Sequence, residues 1–339
     1  MTPADLSRCV VRAVRRAVAD GELAGAVAPE RVVVERTRPG GVGDYATPAA
    51  FQVAKAAGCP PRDVADVLAR RLGAEPGIER VEVTGAGFLN FVLPALSAPV
   101  VIADAIKCDA VIRDACGGAG HGPTADETGL GLRERVVRRS VLRLLSVQGG
   151  GTEPAPLAVA PVAPVAPVAP VAPVAPLAGR DGDVVARYGA DAACWAMLAT
   201  PARETPSFSD AQLLVQGEAS EFFRVRYAHA RARALLRNAE QLGFRPEAGE
   251  VDDAPALLRL LADHPLVLEA AAHHRAPERL TRHLVELADA LLDFQYRVLP
   301  QGDEKPSAAH RARLALAEAA GTVLAGGLAL LGTDAPERL

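Results

Sequence analysis

The densest chemistry in the chain is cationic and aromatic. Between Glu218 and Leu242, Arg224, Arg226, Arg231, Arg233 and Arg237 stand among Phe222, Phe223 and Tyr227, and no acidic residue interrupts from Arg224 to Glu240. A guanidinium is a planar fork of donors that grips phosphate at two points and stacks on a nucleobase. An aromatic ring offers a second stacking surface for an unpaired base. At about 100° per residue, Val225, Ala228, Ala232, Leu236 and Ala239 form one apolar stripe, and Phe223, Tyr227, Ala230 and Ala234 form another. Two stripes describe a helix packed between neighbours, with Arg226, Arg233 and Arg237 on one open ridge and Arg224 and Arg231 on the other. Such a patch suits RNA; equally, a run of like charge is the ordinary solvated face of a bundle helix. Residues 183–339 carry 17 basic and 22 acidic residues, so any attraction for a polyanion is local.

Other chemistries are thinly provided for. The glycines of GGAGHG (Gly117 to Gly122) suggest a phosphate loop, but no strand-then-helix frame surrounds them and no Gly-Lys-Ser/Thr follows. His121 is the only histidine before His229, and lysine occurs only at positions 55, 107 and 305. The five cysteines include no Cys-x-x-Cys pair, and Cys108 and Cys116 have no histidine nearby, so neither a metal nor a cofactor is expected. An odd cysteine count suits a reducing compartment, and no uninterrupted apolar run reaches about 18 residues, so a cytoplasmic protein without a membrane partner is expected. A formal net charge of -4 argues against a chain that coats DNA by bulk charge.

The elements that must position these residues read as two unlike ends. Residues 1–95 predict a small α+β domain: Thr2 as N-cap with Pro3 in the first turn, helical spacing at Leu6, Val10, Val14 and Val18, and a β-rich run at Val32 to Glu35. A second helix is expected over Pro60 to Leu72, then a hairpin of Val81 to Val83 and Phe88 to Val92 around Thr84–Gly87. Residues 96–148 are partly helical, with Arg133 to Leu145 as a basic amphipathic helix leaning on a neighbour with its charges solvated. Residues 149–182 read as a Pro/Val/Ala linker in which Pro161, Pro164, Pro167, Pro170, Pro173 and Pro176 recur every third residue. Proline removes the donors that helix or sheet needs; the 23 residues from Pro154 to Pro176, at about 3.1 Å each, reach roughly 70 Å. Two independently folded ends are therefore expected, with proteolysis near Arg180. Residues 183–339 predict an all-α bundle, with a core stripe at Leu280, Leu284, Leu287, Leu291 and Phe294 and a last helix capped by Ser307.

Both ends resemble a known family. FFRVRYAHARARALLRNAEQLGF (Phe222 to Phe244), YRVLPQGDEKP (Tyr296 to Pro306) and LALLGTDAPERL (Leu328 to Leu339) are similar to the DALR-type anticodon-binding domain of arginyl-tRNA synthetases. GDYATPAAFQVAK (Gly43 to Lys55) and GAGFLNFVL (Gly85 to Leu93) resemble the N-terminal additional domain of the same enzymes. The resemblance implies that Tyr227 and Arg231 touch an anticodon loop and that the surface around Asp44, Tyr45 and Asn90 grips the tRNA elbow, while His229 of YAHAR, on a crowded helix, is expected to be structural. The chain departs from the family pattern with Arg224 where a tyrosine is usual, Arg226 where a glutamine is usual, and Leu339 where the family ends in methionine. These changes keep positive charge and alter base recognition.

The family's class I catalytic core is missing from this pattern. HIGH and KMSK signatures, whose histidines and lysine stabilise phosphate charge in the transition state, find no counterpart, and fewer than 100 residues separate Asn90 from Tyr188. A parallel α/β core needs on the order of 200. The resemblance thus implies a binder of tRNA or a tRNA-like RNA without aminoacylation activity. Two alternatives stay open: a protein-interaction or regulatory module that docks a synthetase or another protein, and a ligase part whose core comes from another chain.

Overall fold

The structure, a computed structural model, describes residues 3–29, 32–38, 40–117, 129–149, 173–177 and 181–339. Thr2, His121, the prolines at 161, 164, 167 and 170, and Arg180 lie outside these. The chain divides into two compact units, Met1–Val101 and Ile102–Leu339.

The first unit is α+β. Helix α1 (Pro3–Ala19) is followed by β1 (Glu35–Arg36), β2 (Tyr45–Thr47), α2 (Ala49–Ala57), α3 (Pro61–Leu72), β3 (Arg80–Thr84) and β4 (Phe88–Val92). The strands form one antiparallel sheet in the order β1-β2-β4-β3, with Tyr45 opposite Phe91 and Val83 opposite Leu89. Leu6, Val10 and Val14 of α1, Val64, Leu68 and Leu72 of α3, and Leu89 and Phe91 of β4 are all fully buried. Helical spacing on one side and alternation on the other thus meet in one core. Gly43 precedes β2 with φ +73°, and a Cβ there would stand 2.8 Å from the Phe91 carbonyl oxygen, so glycine is required. The β-rich run Val32 to Val34 is not a strand; Val32 and Val34 are buried, and the paired strand begins only at Glu35. Helix α2 was not expected, because its short Ala-rich sequence after Pro48 shows little periodicity.

The second unit is helical: α4 (Ala98–Gly117), α5 (Leu132–Gly149), α6 (Asp181–Tyr188), α7 (Ala190–Ala199), α8 (Asp210–Leu213), α9 (Glu221–Gln241), α10 (Pro255–His274), α11 (Glu278–Phe294) and α12 (Ala308–Leu331), with α4 starting just inside the first unit. The α11 stripe Leu280, Leu284, Leu287, Leu291 and Phe294 is buried throughout. Ser307 caps α12 in a reciprocal pair with His310. Helix α12 is apolar and long enough to cross a membrane, but most of it is buried, packed on α9, α10 and α11. Its contact with α9 depends on Gly321, where a Cβ would come within 2.7 Å of Ala232 Cβ.

One expectation is extended and one corrected here. Residues 102–149, left unassigned between the two ends, belong to the same compact unit as the bundle beyond the proline run. Helix α5 lies before that run and packs on α7, α10 and α12 beyond it. The reason is its stripe Val137, Val141 and Leu144, each at most 1% exposed, which finds cover only in the bundle. The correction concerns Arg133, expected to be solvated and found 2% exposed. Its guanidinium donates to the carbonyls of Ala175 (2.9 Å), Thr200 (3.1 Å), Pro201 (2.9 Å) and Glu204. Ala175 in turn donates its N–H to the Ala202 carbonyl at 2.8 Å, and Leu177 packs against the core cluster of Val184, Ala193 and Met197. The end of the proline run, residues 173–177, is therefore held on the bundle.

Candidate nucleic-acid interface

Helix α9 carries the arginine-aromatic run. Ser220 starts it, its Oγ accepting from the Phe223 N–H at 3.1 Å. The first predicted stripe is largely right, with Val225, Ala228, Ala232 and Ala239 buried; Phe222, His229, Ala230 and Leu235 join them. The second stripe is only partly covered, and Tyr227 at its centre is 39% exposed. Its ring lies parallel to Phe223, 5.5 Å between centroids. Phe223 and α9 itself thus fix a phenol face toward solvent, which suits stacking of a base.

The arginine ridges flank that ring on either side, and their partners differ. On one ridge, Arg224 pairs with Asp289 of α11 at 2.9 Å and donates to the Glu218 carbonyl at 2.6 Å. Arg231 donates through Nε to the side-chain oxygen of Gln295 at 2.5 Å, leaving its terminal nitrogens outward. Gln295 is itself buried and donates to the Leu292 carbonyl, so Arg231 is aimed by α11 and the turn that follows it. On the other ridge, Arg233 pairs with Glu337 at 2.9 Å, and Arg237 reaches the Glu337 carbonyl at 3.5 Å. Arg226 differs from the rest: it lies over the Phe222 ring, 5.1 Å from the centroid, and makes no hydrogen bond or ion pair with any described residue. Its Nε is buried and unpartnered, so the guanidinium is held in place with its charge uncompensated.

His229 lies buried on the side of α9 that faces the C-terminal residues. It is 5% exposed, and its Nδ1 lies 3.0 Å from the Pro336 carbonyl. A carbonyl only accepts, so the proton sits on Nδ1. Burial pushes the imidazole pKa below its usual value, partly offset by that same hydrogen bond. The C-terminal residues 336 and 337 are thereby fastened along α9.

In the first unit the expected surface of Asp44, Tyr45 and Asn90 is corrected. Tyr45 is 4% exposed in β2, and Asn90 is 5% exposed in β4. Asn90 donates to Thr84 Oγ1 at 2.8 Å and so ties the β3–β4 hairpin. Asp44 alone is open, and its carboxylate accepts from the Leu93 N–H at 3.0 Å. Polar residues of this motif are thus serving strand geometry here.

Asp289, Gln295 and Glu337 were not among the candidate residues, because each lies more than 60 positions from its arginine partner. Tyr296, next to Gln295 in the chain, is 68% exposed. Among the described residues no group of three or more His, Cys, Asp or Glu is placed to hold a metal ion.

Comparison with known proteins places both ends. Residues 5–93 match the family model of the arginyl tRNA synthetase N terminal domain, and residues 225–339 match that of the DALR anticodon binding domain. Both end domains are therefore of the arginyl-tRNA synthetase type that their motifs resemble. Among solved structures, the arginyl-tRNA synthetase of Thermus thermophilus is similar in fold, with a TM-score of 0.56 at 15% identity over 100% of both chains. A Campylobacter jejuni protein named an arginyl tRNA synthetase aligns with a TM-score of 0.41 at 21% identity, over 47% of this chain and 36% of that one. The chain thus spans about a third of the length of that protein.

Proposed function

We propose that this chain binds tRNA, or an RNA of like shape, through the α9 surface of its anticodon-binding-type domain, and that it does so without joining an amino acid to the RNA. The observation that carries the proposal is the placement of Tyr227: an open ring braced by Phe223, inside the segment matched to an anticodon-binding domain, with Arg226 and Arg231 to either side. A nucleobase stacks on the ring while the guanidinium forks take its flanking phosphates.

The non-catalytic part rests on what lies between the matched ends. Among the described residues of 94–224 no strand is formed, and the four-stranded sheet of the first unit is antiparallel. Neither supplies the pairs of histidine and lysine that would stabilise a pentavalent phosphate. A second reading, a docking module for a synthetase or another protein, draws on the ion pairs of Arg224 with Asp289 and Arg233 with Glu337, which already neutralise part of the patch. A catalytic core on a separate chain would likewise call on the α9 surface for RNA.

Two measurements test the proposal. RNA that co-purifies with the tagged full chain from its own host should be enriched in tRNA. Arginine-dependent ATP–pyrophosphate exchange should stay at background, with or without tRNA. Exchange above background by the purified chain would overturn the non-catalytic reading, and a co-purifying protein with no RNA would favour the docking module.

A further inference from the structure

Three helical faces of the second unit converge on a cleft of about 720 Å³ that opens beside the Arg233 ridge, on the side of α9 away from Tyr227. Helix α12 presents Glu318, Gly321, Thr322, Ala325 and Ala329, spaced along one face by three and four residues. Helix α4 presents Ile106, Asp109 and Arg113, and α9 contributes Ala232, Arg233 and Leu236. The volume lies within the range of small-molecule sites, roughly 300–1,000 Å³, and such sites combine apolar walls with a few placed polar groups.

The ionisable groups of the cleft do not balance. Asp109 pairs with Arg113 at 2.7 Å, and Arg233 pairs with Glu337 at 2.9 Å. Glu318 is left over: it makes no hydrogen bond or ion pair with any described residue and sits half-buried on α12 between small apolar side chains. Partial burial pushes its carboxyl pKa up, and the nearby Arg233 opposes the shift without forming a contact. A lone carboxylate on an apolar floor matches a ligand with one cationic head and an aliphatic body, because the head restores the charge balance while the body covers Ala325, Ala329 and Ile106.

We propose that this cleft is a binding site for a small organic cation, a primary amine or guanidine on a short aliphatic stem, with Glu318 as the counter-charge. At the floor of the cleft α12 and α4 pack closely: a Cβ on Gly326 would stand 3.1 Å from Asp109 Oδ1 and 3.3 Å from Ile112 Cδ1.

The test uses the full chain and three isosteres, n-hexylamine, n-hexanol and hexanoate, read by calorimetry at pH 7. The amine should bind at least tenfold more tightly than the alcohol, and hexanoate should not bind. Glu318→Gln should erase the difference between amine and alcohol, and Ala329→Phe, at an exposed position that fills the cleft without disturbing the core, should abolish amine binding. Equal binding of amine and alcohol by the native chain would overturn the proposal. So would absence of amine binding at 10 mM, or amine binding that survives Ala329→Phe.

Discussion

Replacing Arg226 by alanine removes a guanidinium of α9 that makes no hydrogen bond or ion pair with any described residue. Each phosphate neutralised on a single strand releases counterions and contributes about 0.7 to the slope of log K against log salt. Arg226→Ala should therefore reduce the slope for tRNA by about 0.7, and its affinity penalty should shrink ~2.6-fold between 50 and 200 mM salt. Arg233 behaves differently, because its charge is already shared with Glu337 at 2.9 Å. Its removal should lower the slope by less than Arg226→Ala does, while the freed Glu337 adds repulsion. Loss of the Arg226 stacking over Phe222 costs about 0.5–1 kcal/mol of stability, too little to unfold the domain, which circular dichroism would verify. Filter binding of labelled tRNA across five salt concentrations gives the slopes. An unchanged slope for a folded Arg226→Ala variant would refute the assignment of that arginine to phosphate.

Further expectations follow from the buried groups. His264 and His283 stack at 5.2 Å between ring centroids in the bundle core, and burial lowers both pKa values, that of His283 to about 4. Since the unfolded chain protonates near 6.5, the stability is fully present above that pH and is lost as pH falls toward 4; for His283 the loss by pH 5 is about 2 kcal/mol. Urea melts at pH 7 and 5 measure it, and His283→Leu should reduce the dependence by the His283 share, leaving that of His264. Arg133→Ala strands four backbone carbonyls and should cost about 3 kcal/mol, while exposing the bond after Leu177 to chymotrypsin; an unchanged cleavage rate there would contradict the role of Arg133 in holding residues 173–177. Gly321→Ala drives a methyl group against Ala232 and should cost about 1–3 kcal/mol in thermal unfolding, where a neutral result would show that α9 and α12 separate freely.

What could be seen in the sequence divides along physical lines. Elements whose stability comes from a one-sided apolar stripe were legible: α1, α3 and α11 lie where their three- and four-residue spacing puts them, and the β3–β4 hairpin turns where Thr84 to Gly87 allow. Helix α2 carries too few large residues to show a period, and the Val32–Val34 run is buried without finding a strand partner until Glu35. The arginine-aromatic helix was legible as a helix with two ridges, but the partners that decide each charge were not. Glu337 meets Arg233 across 104 positions, and Gln295 meets Arg231 across 64. Spacing rules speak only to neighbours within a turn or two. The same limit hid Arg133, which looks like one more surface arginine until the four carbonyls from residues 175 to 204 close around it.

The central claim, that an anticodon-binding-type surface on α9 holds tRNA, is tested most directly by titrating the full chain with total tRNA from its own host near 100 mM salt, beside an Arg231→Glu variant. Arg231 is aimed by buried Gln295 with its outer nitrogens free, so reversal of its charge should weaken binding several-fold while leaving the circular dichroism spectrum unchanged. Absence of tRNA binding by the native chain, or equal binding by a folded Arg231→Glu variant, would contradict the account.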